Sequence, residues 1–186
     1  DNQQGFEIPI LPLRNSVFFP GSIMPISVGR PKTLAMVKAV EESGEPIGIV
    51  AQRDGAVDDP SAGDLYEMGT TGRIVKALKA GDEGFHLVLQ GLKRFRVIAL
   101  TQTTPYLRAR VVEVKDINAD PVKIEALMMN VKKLAREVVS LMPEIPSGAT
   151  QFVDGIEDPG HLADLIAANM DVAVEEKMEV LDLVEV

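Results

Sequence analysis

Apolar residues in the first thirty positions come in short groups, each cut by proline. Residues 8–31 read IPILPLRNSVFFPGSIMPISVGRP, with prolines at 9, 12, 20, 25 and 31. Proline fixes φ and cannot donate to a sheet ladder, so the run predicts extended pieces separated by turns rather than one strand or a helix. The pieces are Ile8, Ile10 and Leu13, then Val17 to Phe19, then Ile23 to Val28. The next stretch, GRPKTLAMVKAVEESGEP, changes period. Pro31 suits a first helical turn, Leu34, Val37 and Val40 with Ala35 and Met36 form a stripe, and Gly44 followed by Pro46 stops it. One helix of about three turns is predicted.

From 47 to 115 the alternation is that of strands. PIGIVAQ is a compact apolar strand and RDGAVDDPSAGD a turn-rich loop. LYEMGTTGRIVKALKA and FHLVLQGLKRFRVIALTQ are long alternating strands, joined by a hairpin loop over Ala80, Gly81, Asp82, Glu83 and Gly84. YLRARVVEVKD is the last strand, with Leu107, Ala109 and Val111 on one side and Arg108, Arg110 and Val112 on the other. Glycines 69, 72 and 91 inside long strands predict bulges or bends that curl the sheet into a partly closed barrel.

After residue 117 the period becomes helical. Asp120-Pro121 supplies a cap and a first-turn proline, and Ile124, Leu127, Met128, Val131, Leu134, Ala135, Val138, Leu141 and Met142 follow at spacings of three and four. Asp158-Pro159 opens a helix through Leu162, Leu165 and Ile166, and Asp171 a last one over AVEEKMEVLDLV. The predicted class is therefore α+β, with a β-barrel subdomain over 1–116 and an α-helical bundle over 117–186.

Charge divides at the same place. Up to residue 116 there are 14 Lys and Arg against 14 Asp and Glu, and from 117 onward 5 against 14, so the second part carries the whole net charge of −9. An acidic total makes nucleic acid an improbable partner, because neutralising phosphates takes a basic face. Lys93-Arg94-Phe95-Arg96 is the one basic cluster, and its residues alternate sides along a strand; long basic side chains on a wet sheet face are the simpler explanation. No apolar run reaches the roughly 18 to 20 residues of a membrane span, and the opening lacks the basic start and unbroken core of a secretory signal. With no cysteine, neither a disulfide framework nor a thiolate metal site is expected, and the cytoplasm is the expected location.

Catalytic motifs are not found. No Gly-Lys pair marks a P-loop, no G-x-S-x-G elbow or H-E-x-x-H occurs, and His86 and His161 lack metal-ligand spacing. Asp54, Asp58 and Asp59 lack the alternating ligand pattern of a calcium loop and are expected as turn residues. Eight methionines are a softer signal, since thioethers adapt to unlike apolar partners. Met128 and Met142 fit a packed stripe; Met24 and Met129 lie off any core pattern and are the better binding candidates.

The segments LPLRNSVFFPGSIMPISVGRPKTL, IGIVAQRD, DLYEMGTTGRIVKALK, LVLQGLKRFRVIAL and EDPGHLADLIAANM, taken in order, resemble the amino-terminal domain of bacterial Lon proteases. The likeness runs from about Phe6 to the last residue, and no single motif carries it. It implies a PUA-like β-barrel followed by a helical bundle, and a fragment of a longer chain. In that family an ATPase with a P-loop, using ATP and Mg, and a protease with a Ser-Lys dyad follow; no cofactor is expected in this segment.

The function so implied is non-catalytic. The domain would recognise unfolded or degron-bearing proteins, with adaptor proteins as further partners, and support a hexamer. Leu11, Leu13, Val17 and Ile26 would fill the barrel, while Phe18, Phe19, Ile23, Met24 and Pro25 share a loop that cannot all be buried. With Met129 they are the candidate substrate contacts, because sequence-tolerant binding must rest on non-directional apolar contact. Met178, Leu181 and Val184 on the last helix are the candidate oligomer contacts. Two other functions stay open: a purely architectural domain, and an RNA-binding barrel using the KRFR cluster.

Overall fold

A computed structural model describes residues 5–81, 84–117, 120–146 and 148–184. Six strands and one helix come first: β1 (Phe6–Leu13), β2 (Ile23–Val28), α1 (Pro31–Ser43), β3 (Ile47–Ala51), β4 (Met68–Ala80), β5 (Gly84–Gln102) and β6 (Arg108–Glu113). Four helices follow: α2 (Pro121–Leu141), α3 (Gly148–Asp154), α4 (Pro159–Asn169) and α5 (Val174–Asp182).

The strands run in the order β2-β5-β4-β3-β1-β6, and β5 also pairs with β6, which closes β5-β4-β3-β1-β6 into a ring. The length of β5 makes this closure. Its first half, Phe85 to Gln90, carries β2, and its second half, Phe95 to Gln102, carries β6. The ladder between β4 and β5 slips between Thr70 and Gly72 and again between Ile74 and Lys76, the irregularities that let long strands bend.

Two glycines are required by close approach. A Cβ on Gly69 would stand 2.6 Å from the Ile49 carbonyl oxygen and 2.7 Å from the Phe95 ring. On Gly91 it would meet the Phe19 carbonyl oxygen at 2.4 Å. There the Gly91 amide donates to Ser22 O (2.8 Å) and the Gly21 amide donates to Gly91 O (3.1 Å), tying the 14–22 loop to the barrel.

The segment Val17 to Phe19 is not a strand. It belongs to that loop, and all three side chains are buried. Thr70 Oγ1 donates to the Phe18 carbonyl at 2.6 Å in place of a ladder bond. Asp82 and Glu83 of the expected hairpin loop lie outside the described residues, but Ala80 and Gly84 pair across it. The last helix starts at Val174 rather than at Asp171, with the Glu176 carboxylate accepting from the Ala173 amide at 3.1 Å.

Three apolar clusters organise the barrel. One packs Leu11, Leu13, Phe18, Ile49, Leu87 and Leu89 against Met36, Val37 and Val40 of α1. A second centres on Phe95 with Ile8, Ile10 and Val111. The third crosses to the helices, joining Val17, Phe19, Ala51 and Met68 to Ala167, Met178 and Leu181. A smaller fourth cluster, Val153, Ile156 and Leu162, holds α3 and α4 with Met128, Val131 and Ala135 of α2 packed against it.

The seam between barrel and helices also contains an ion pair. Arg94 is buried, not on a wet face, and its guanidinium grips Asp164 through two bonds, of 2.9 and 2.5 Å. Its Nε donates to Leu181 O (3.0 Å) and its Nη1 to Asp116 (3.3 Å). Burial pushes the Asp164 carboxyl above its ordinary pKa, and the hydrogen bonds and charge of Arg94 pull it back. Strand β5 of the barrel is thus fastened to α4 and α5 at once.

Candidate functional site

Strand alternation sorts the opening loop into buried and displayed residues. Phe18 and Phe19 are fully enclosed, so neither is a surface contact; the loop folds both rings inward, one into the barrel and one under the helices. On β2, Met24, Ile26 and Val28 turn toward the barrel core and Met24 is only partly exposed. Ile23, Pro25 and Ser27 turn outward, Ile23 being 68% exposed.

Register brings further apolar side chains beside them. Pro25 stands opposite Val88, which stands opposite Lys76; Ser27 stands opposite His86, which stands opposite Leu78. Val88 and Leu78 are diagonal neighbours on the same outer face, a separation of about 7 to 8 Å in such a ladder. Ile23, Pro25, Val88 and Leu78 therefore make one apolar strip across three strands, with Val75 exposed in the β4 bulge above it. The sequence pattern missed Leu78 and Val88. What could have found them is the register, because RIVKALKA breaks its alternation at the bulge and hides which side each residue takes.

Strand β2 is the sheet's outer edge, and its second flank is a groove. A cavity of about 610 Å³ lies between β2 and the end of β1, lined by Leu11, Leu13, Met24, Ile26 and Arg30 among others. A neighbouring one of about 480 Å³ is lined by Ile10, Leu107, Lys32 and Pro60. Arg30 is the wall between them, donating to Gln52 Oε1 (2.7 Å) and Pro12 O (2.6 Å). Burial, and then the charge of Arg14, lower its pKa, while Asp58 and Asp59 raise it. Those two aspartates act in ion pairs, Asp58 with Arg14 and Asp59 with Lys32.

Ser27 Oγ and His86 Nδ1 lie 2.8 Å apart on the open strip. Among the described residues no hydrogen bond reaches the other nitrogen of that ring, so no third group orients the pair as a nucleophile and base require. No group of three or more His, Cys, Asp or Glu is placed to hold a metal ion among the described residues.

The remaining candidates lie elsewhere. Met129 is exposed, but on α2 in the helical half and away from the strip. Met178 and Leu181 are buried, because α5 uses them to dock on Phe19 and Met68, and Val184 packs beside them. As oligomer contacts Met178 and Leu181 are corrected: the barrel of their own chain covers them.

The family model described as the ATP-dependent protease La (LON) substrate-binding domain matches residues 7–186. This chain belongs to the Lon substrate-binding domain family. It is 55% identical over 179 residues to a Lon protease of Anaeromyxobacter dehalogenans, and 56% identical over 179 residues to Lon protease 2 of Myxococcus xanthus. Each alignment takes in 96% of this chain but only 21% and 22% of those proteins, so the chain spans about a fifth of their length. The solved N-terminal domain of a Mycobacterium avium complex Lon protease overlays it with a TM-score of 0.76 at 21% identity, covering 96% of this chain and 91% of that one. The fold of this Lon domain is thus the barrel and helices described above. No helix in it is long and apolar enough to cross a membrane among the described residues.

Proposed function

We propose that this chain is the non-catalytic recognition part of an ATP-dependent Lon protease, working in the cytoplasm. Its outer strip on β2, β5 and β4 takes up exposed apolar segments of unfolded or degron-bearing polypeptides. One observation carries the reading: an edge strand of a Lon substrate-binding domain displays Ile23 and Pro25 outward, in register with Val88 and Leu78.

The chemistry of the strip suits such ligands. Its contacts are apolar and non-directional, so they tolerate sequence and give weak affinity. Weak sites gain strength when several copies are tethered in one ring, because the second contact becomes intramolecular. Cleavage and ATP hydrolysis belong on this reading to the parts of the longer relatives that the chain does not span.

Titration of the chain with an unfolded casein, followed by backbone amide shifts, tests this. Shifts are expected on Ile23 to Ser27, Val75 to Leu78 and His86 to Gln90, and a double Ile23→Ser and Leu78→Ser variant should bind about tenfold more weakly, a loss of roughly 1.4 kcal/mol. Shifts confined to the helices, or a double variant that binds as before, would sink the proposal.

A further inference from the structure

We infer that the groove on the inner side of β2 captures the carboxyl end of a polypeptide chain, with its last apolar side chains inside and its terminal carboxylate at Arg30, Thr33 and the start of α1. This rests on the reading that polypeptides are what the domain takes up, but not on the outer strip. The topology makes the groove. Strand β2 lies outside the ring β5-β4-β3-β1-β6 and pairs with β5 alone among the described residues. Its inward side chains Met24, Ile26 and Val28 are therefore only partly buried, and with Leu11 and Leu13 of β1 they line the cavity of about 610 Å³.

Charge in this apolar groove is of one sign. Arg14 and Arg30 line it, and among the described residues no carboxylate does. Arg14 pairs with Asp58, which lines the neighbouring cavity together with Asp59. Arg30 has no such partner: its guanidinium donates to Gln52 Oε1 (2.7 Å), Pro12 O (2.6 Å) and Asp58 O (3.3 Å), all neutral oxygens. It is a cation fixed in place without a carboxylate of its own.

The start of α1 adds donors. The first helical bond runs from the Leu34 amide to Arg30 O (2.9 Å), so the Lys32 and Thr33 amides precede the ladder, and no side chain caps them. A second, independent feature points the same way. Thr33 is only 6% exposed, yet it lines the groove and its hydroxyl meets no hydrogen-bond partner among the described residues, where side chains so deep are as a rule bonded. Guanidinium, hydroxyl and helix N-terminus are all donors that a carboxylate accepts from. Shape favours a chain end over a side chain. Arg30, clamped to β1 and Gln52, is the wall between this groove and the next cavity, so an extended segment can enter along β2 but cannot run past it. A terminal carboxylate with apolar residues behind it fits that dead end.

Backbone amide shifts of the chain titrated with acetyl-Ala-Ala-Ala-Leu-Val, free or amidated at its carboxyl end, test this. The free peptide is expected to move Leu11, Ile26, Gly29, Arg30 and Lys32 to Leu34, and to bind at least about tenfold more tightly than the amide, as hydrogen bonds to a charged group allow. Arg30→Gln should abolish that difference, Arg30→Lys should keep part of it, and Thr33→Val should reduce it with the helical circular dichroism unchanged. Because both peptides are compared on the parent chain, the answer does not depend on the folding of Arg30→Gln. Equal affinity of the two, or shifts confined to Val75 to Leu78, overturns the inference. So does an amidated peptide with an internal aspartate that binds as tightly as the free end, which would make the groove a reader of acidic side chains. The outer strip fails separately, since it is read from casein shifts on Val75 to Leu78 and the groove from peptide shifts on Lys32 to Leu34.

Discussion

The barrel and the long helix behind it place similar apolar content in opposite ways. Strands β1, β3, β4 and β5 bury theirs in closed clusters around Phe95, Ile49 and Leu89, with glycines admitting the larger side chains. Helix α2, the longest in the described residues, buries none fully and leaves half its stripe in water. A barrel can satisfy its own inner surface, whereas a helix with a wide apolar stripe needs neighbours on more than one side. The difference marks where the molecule is complete and where it offers surface.

If that contrast is right, the largest loss comes from the barrel. Phe95 is fully buried, with its ring against Gly48 and Gly69. Phe95→Ala should cost about 3 to 5 kcal/mol and move the whole urea transition, since the cavity lies where five strands meet. A loss of unfolding free energy below about 1 kcal/mol would mean that the barrel is not the stable unit.

The seam between the two regions ranks next. Asp164 is enclosed beside Arg94, so Asp164→Leu leaves a buried guanidinium short of its main partner, at a cost of about 3 kcal/mol. Hydrogen exchange should show the loss first in α4 and α5, with β1 and β3 still protected. Pairing it with Arg94→Met should recover much of the stability, because apolar residues of similar volume often replace a buried pair at little cost. Equal loss of protection in β1 would show that barrel and helices unfold as one body.

Most of this architecture was legible in the sequence, and the failures have particular causes. The three-turn α1 with Gly44 in the left-handed conformation, the two long hairpin strands and the Asp120-Pro121 start of α2 follow from local rules, and each is present. Phe18 and Phe19 could not be placed by such rules. Their burial depends on Thr70 and Gly91, about fifty and seventy residues away, holding the loop against the barrel. Arg94 was misjudged for the same reason: its partner Asp164 is 70 positions away, and alternation reports a side but not what covers it. On β2 the alternation did hold, and it split Ile23 and Pro25 from Met24 once one face was known to be core.

Smaller effects sharpen the contrast on the helix side. Asp120 caps α2, accepting from the Val122 amide at 3.0 Å. Asp120→Ala should cost about 1 kcal/mol, read as faster exchange in the first turns of α2 with no change in β-strand protection. A larger effect would mean that Asp120 does more than terminate the helix.

Leu141 gives the smallest effect and the most discriminating one. At 80% exposure it has little of its side chain to lose to water, so Leu141→Ala in dilute solution should alter stability by no more than about 0.5 kcal/mol. Phe95→Ala and Leu141→Ala would then differ severalfold although both remove a large apolar side chain, and only burial separates them. Equal losses in urea unfolding for the two variants would mean that Leu141 is covered in solution despite its exposure on α2.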